Sequence, residues 1–126
     1  YHPMPFTHQG APWAVEHKDQ HGIEWHDTAK EQQAIAADFA RAQAWSEAHR
    51  RPLYLGEFGA YEKADMASRS RYTARVARTA ESLGWSWGYW QFDSDFIVYN
   101  IDKDAWVEPL RDALIPRNQG IPRDAA

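Results

Sequence analysis

Residues 52–59, Pro-Leu-Tyr-Leu-Gly-Glu-Phe-Gly, set one carboxylate inside a glycine bracket at the end of a short apolar run. Leu53 to Leu55 are apolar without alternation, the pattern of a strand covered on both faces, and the glycines let the backbone turn sharply at its end. Glu57 is therefore expected at the C-terminal mouth of a parallel sheet, the edge at which such folds bind ligands. About thirty residues later a second apolar run ends in Trp85-Ser86-Trp87-Gly88-Tyr89-Trp90. Flat indole faces stack under sugar rings, so a carboxylate delivered beside them points to a sugar-cleaving site.

Size limits what can surround that site. With 126 residues and 14.6 kDa the chain holds one small domain and is too short for a complete eight-stranded barrel. Its 14 basic and 18 acidic residues give a net charge of −4, and no basic stripe interleaves with aromatics, so nucleic acid is not an expected partner. The absence of cysteine leaves neither disulfides nor thiolate metal sites. No apolar run approaches the roughly 18 residues of a membrane span, and Tyr1-His2-Pro3-Met4-Pro5 lacks the character of a leader.

Along the chain, residues 1–26 carry Pro3, Pro5, Gly10, Pro12 and Gly22 without periodicity and read as a long irregular loop. Thr28 and Glu31 have capping-box spacing, and Ile35, Phe39, Ala42 and Trp45 recur at helical steps, which predicts a helix over 28–49. A strand over 52–57 follows. A second helix carries Tyr72, Val76, Ala80 and Leu83 on one face and stops at Gly84. A strand over 85–92, a short strand within 96–101, and a last helix capped by Asp104 and carrying Val107, Leu110 and Leu114 complete the order. Alternating strands and helices at this spacing predict a parallel α/β sheet that two full strands cannot complete by themselves. Residues 117–126 read as a frayed tail.

This pattern resembles glycoside hydrolase family 5, the cellulase family of retaining β-glycanases on a (β/α)8 barrel. Tyr1-His2-Pro3-Met4-Pro5-Phe6-Thr7-His8-Gln9-Gly10-Ala11 is similar to the segment after the sixth barrel strand, Gly56-Glu57-Phe58-Gly59 to the seventh, and Trp85 to Phe92 to the eighth. The resemblance implies an α/β fold that is the C-terminal portion of a TIM barrel, about its last three βα units, over residues 1–116. It implies Glu57 as catalytic nucleophile, Tyr1 as the tyrosine that orients it, and Trp90 as the platform under the sugar. His8 and Trp13 lie in the segment that, in the resembling family, faces the substrate groove, which implies sugar contacts for them. The implied activity is that of an endo-β-1,4-glucanase with no cofactor and no metal, acting on β-glucan outside the cytoplasm, in the periplasm or beyond the cell. The family's acid/base glutamate follows an asparagine, and this chain, whose asparagines are Asn100 and Asn118, has no Asn-Glu pair. The chain thus supplies the nucleophile half of a site, and self-association or a complementary N-terminal barrel fragment is the expected partner; a glucan-binding fragment without turnover is the alternative.

Other residues have plainer expectations. His17, His21 and His26 sit in a solvated loop rather than a metal site. Trp85 and Trp87 are expected to pack between sheet and helices. Asp93 and Asp95 follow the last strand, where they serve turn capping or sugar hydroxyls. Arg69, Arg71, Arg75 and Arg78 read as the solvated face of a helix.

Overall fold

The computed structural model describes residues 1–117; the rest of the tail predicted over 117–126 lies outside the described residues. Helix α1 (Ala29–His49) begins at Thr28, whose hydroxyl accepts from the Glu31 amide while the Glu31 carboxylate takes the Thr28 N–H, the predicted capping box. Arg50 ends it in the left-handed region at φ 52°. Ile35 and Phe39 are buried as their spacing requires, but Trp45 lies on the exposed side, stacked on His49 one turn later.

Strand β1 (Tyr54–Leu55) runs parallel to β2 (Ser86–Trp87), with Tyr54 opposite Ser86 and Leu55 opposite Trp87. Helix α2 (Met66–Ser82) connects them, since parallel neighbours require a crossover. Both strands are shorter than predicted. The glycine bracket bends the chain out of the ladder after Leu55, and pairing continues only as isolated bonds, Gly88 N–H to the Leu55 carbonyl at 2.8 Å and Trp90 N–H to the Phe58 carbonyl at 2.9 Å. Asp65 caps α2, Tyr72, Val76 and Ala80 are fully buried on its inner face, and Gly84 at φ +73° closes its end. Among the described residues β3 (Tyr99–Asn100) pairs antiparallel with β4 (Ala105–Trp106), a hairpin of which only the first strand was predicted. Helix α3 (Glu108–Leu114) follows, with Leu110 and Leu114 buried. Asp104 does not cap it. That residue is spent in the hairpin turn, at φ 47°, where it accepts from the Tyr99 hydroxyl.

The core lies between α1, α2 and the helix-facing side of the β1–β2 pair. Phe39 stacks on Trp85 at 4.8 Å, and Phe58 meets Trp87 and Tyr89 edge-on, so both strand tryptophans pack inward as expected. The opposite face of the pair is open. Tyr54 is 66% exposed and its ring lies across Gly56 and Gly88. A barrel strand directs that face into the packed barrel interior.

Arg69 corrects the sequence reading, whereas Arg71 is exposed as expected and Arg75 and Arg78 are half-buried. Arg69 is buried, donating to the Ala60 and Phe96 carbonyls. Arg71 donates to the Trp25 carbonyl, Arg75 forms a two-pronged pair with Asp27, and Arg78 reaches Glu81 and the Leu114 carbonyl at the end of α3. Charge alone suggested solvent. The guanidinium fork instead fastens loop carbonyls and helix ends to α2.

Candidate active site

Three segments meet at the C-terminal ends of β1 and β2. From the bracket after β1 comes Glu57, and from the run after β2 come Trp90, Gln91, Ser94, Asp95 and Phe96. The loop before α1 supplies His8 and Trp13. Together these line an open cavity of about 340 Å³. Glu57, Trp90, His8 and Trp13, separated by up to 82 positions in the chain, are thus brought to one place. Trp90 is 43% exposed and therefore free to receive a ligand face. Its backbone is held where it is because residue 59 is glycine: a Cβ there would stand 2.1 Å from the Trp90 carbonyl oxygen. The Trp90–Gln91 peptide bond is cis.

The residue at the Glu57 carboxylate is not Tyr1. The Tyr1 ring turns into the core, edge-on to Phe39 at 5.3 Å, and its phenol lies near Asp38; burial, reinforced by that carboxylate, pushes it up to about 12. What Tyr1 brings to Glu57 is its backbone nitrogen, on the Glu57 backbone carbonyl. The Tyr1 carbonyl in turn accepts from the buried Tyr72 hydroxyl at 2.6 Å. The side chain that reaches the carboxylate is His2, with Nε2 2.7 Å from Glu57 Oε1 and Nδ1 3.2 Å from the Gly59 carbonyl oxygen. Sequence reading missed His2 because the resemblance drew attention to the tyrosine beside it; the available signal was an imidazole next to a chain-reversing proline.

His8 stands edge-on to His2 at 5.0 Å, and its Nδ1 is 2.9 Å from the Thr7 hydroxyl. Burial first, then the neighbouring His2 and His17, holds it below the ordinary imidazole value. A neutral imidazole at a cavity wall can both donate and accept. Trp13 leans edge-on against Tyr61 at 4.9 Å, and Phe96 sits among Tyr61, His8 and His2 as the hub of this wall. Asp95 reaches the cavity while its carbonyl accepts from the Glu62 amide, and Asp93 accepts from the Ile101 amide, so only Asp95 lines the site. His17 pairs with Gln20 and His26 with Glu24, and among the described residues no group of three or more His, Cys, Asp or Glu could hold a metal ion. No helix of the described residues is long and apolar enough to cross a membrane.

No family model matches the chain. Endoglucanase 3 of Fibrobacter succinogenes is 25% identical over 145 residues, a match that takes in 90% of this chain and 22% of that protein. Among solved structures, endoglucanase Cel5A of the hyperthermophile Thermotoga maritima superposes with a TM-score of 0.87 at 42% identity, over 91% of this chain and 37% of its own. That enzyme has been seen with cellobiose and with mannotriose. The Clostridial cellulose synthase subunit Z of Clostridioides difficile gives 0.88 at 29% identity, over 91% and 38%. The chain spans little more than a third of these solved structures and about a fifth of the curated relative.

Proposed function

We infer, for a chain that belongs with the family 5 glycoside hydrolases and corresponds to a C-terminal portion of their (β/α)8 barrel, that Glu57 is the nucleophile of a retaining β-1,4-glucan hydrolase. The observation that carries this reading is the cavity in which the Glu57 carboxylate, with Asp95 on the same lining, meets two indoles and the His8 imidazole. A sugar ring laid on Trp90 presents its anomeric carbon to Glu57, with His8, Trp13 and Asp95 placed to meet hydroxyls and the neighbouring ring. A Glu57 oxygen forms a bond to that carbon as the glycosidic C–O bond breaks, and the departing oxygen takes a proton from a second carboxyl group. Water, deprotonated by that second carboxylate, then releases the sugar and restores Glu57.

The second carboxyl must stand about 5–5.5 Å from the nucleophile. This chain has no Asn-Glu pair to supply it. The reading therefore treats residues 1–116 as the nucleophile half of a catalytic domain and assigns the acid to a complementary N-terminal part of the barrel, or to a second copy. Either would cover the open face on which Tyr54 lies. An extracellular or periplasmic setting follows from a substrate that is an insoluble polymer. The missing acid also favours a second reading, in which the chain binds glucan without turning it over.

Turnover of a soluble β-1,4-glucan by the chain, alone and co-expressed with a family 5 barrel piece that runs through its sixth strand, decides between them. Hydrolysis on complementation is expected, falling about a thousandfold or more in Glu57→Gln. Binding of cellotetraose with equal affinity in both forms and no hydrolysis in any pairing sinks the catalytic reading.

A further inference from the structure

We propose that His2 is a positioning residue that pins one oxygen of Glu57 and leaves the other as the attacking atom. The proposal rests on Glu57 being the nucleophile. Both nitrogens of the His2 ring face oxygen acceptors, the Gly59 carbonyl through Nδ1 and the carboxylate Oε1 through Nε2. A carbonyl oxygen only accepts, so Nδ1 carries a proton, and a second proton must lie between Nε2 and Oε1 for the 2.7 Å contact to be a hydrogen bond.

The ring is rigidly seated where the carboxylate is not. Its side chain is 15% exposed against 51% for Glu57, and it is flanked edge-on by His8 at 5.0 Å and Phe96 at 6.3 Å. Its backbone is held on both sides, by the Tyr72 hydroxyl on the Tyr1 carbonyl and by a turn from the Met4 amide to the His2 carbonyl at 2.9 Å. A half-exposed glutamate otherwise samples several rotamers. With Oε1 tied to a fixed ring and that ring tied to Gly59, two residues beyond Glu57, the bracket is clamped to the first loop and Oε2 is the free oxygen. The ionisable groups facing His2 are Glu57 and His8.

Nitrogen NMR of the chain with labelled histidine tests the pairing without substrate. Both His2 nitrogens should show protonated-type shifts with a downfield Nε2-bound proton, and Glu57→Ala should abolish that proton while Nδ1 is unchanged. An identical His2 spectrum in the two proteins overturns the proposal. Covalent labelling of the complemented barrel by an epoxybutyl β-cellobioside, followed by intact mass, tests the consequence. His2→Ala should slow it roughly tenfold or more, and His2→Gln, whose amide can still donate to Oε1, should recover most of the rate. Equal rates in native, Ala and Gln forms also overturn the proposal. If the complemented native barrel is not labelled at all, the nucleophile reading fails and the NMR result alone decides whether His2 holds the carboxylate.

Discussion

The cavity has two walls of similar length and opposite construction. The loop before α1 has a polar skeleton: Gln9, fully buried, donates to the Phe6 and Ile23 carbonyls and accepts from the Ile23 amide. Arg71 and Ser68 of α2 grip Trp25, and Arg75 grips Asp27. The loop after β2 buries only its base, through Phe96 and Val98. Its hairpin end is a ring stack, Phe92 on Tyr99 at 5.1 Å with Trp106 edge-on to both, and Phe92 is still 54% exposed. Irregular backbone thus becomes rigid when its carbonyls find buried donors, and stays adaptable when it is held by stacked faces at the surface.

Substitutions can separate the two kinds of support. Gln9→Ala removes three hydrogen bonds and leaves the Ile23 amide without its acceptor, so the largest loss is expected there, about 3 kcal/mol in urea unfolding. A loss below about 1 kcal/mol would mean that the first wall is no stiffer than the second. Arg69→Met touches the second wall at its base, because its guanidinium joins Phe96 to Ala60 in the segment after β1. Phe96 keeps a donor in the Tyr89 hydroxyl, at 2.7 Å, and only Ala60 is orphaned. About 2 kcal/mol is expected, together with weaker hydrogen-exchange protection at Tyr61 and Phe96. Phe92→Ala should cost least, about 1 kcal/mol, since the ring pairs it breaks are largely solvated. Its clearer effect should be faster exchange at Val98 and Tyr99, whose amides both donate to the Phe92 carbonyl.

Helices were legible in the sequence because their signals are local. Thr28 with Glu31 and Gly84 after Leu83 act within one turn of the chain, and they begin or end helices where spacing predicts. Glu57, Trp90, His8 and Trp13 were legible as one site through the order of their segments, and they do line one cavity. What escaped depends on partners far along the chain. Arg69 looks solvated until a loop carbonyl arrives from 27 residues away, that of Phe96. Tyr1 and His2 are neighbours with similar capacity, and only the three-dimensional competition between Phe39 and Asp38 on one side and Glu57 on the other decides which turns toward the carboxylate. Asp104 was read as a helix cap because its competing partner, the Tyr99 hydroxyl, belongs to a hairpin that the sequence pattern half concealed.

Two glycines of this chain differ in how they would drift over generations. Gly84 answers to a backbone handedness, with nothing within 4 Å of the position a side chain would take, so asparagine is a workable understudy. Gly59 answers to a distance: the Trp90 carbonyl occupies the room that even alanine needs. In a saturation library position 84 should accept a small alphabet and position 59 a single letter. The bracket around Glu57 and the indole facing it are therefore inherited as one unit, since the spacing between them is written in an atom that is not there.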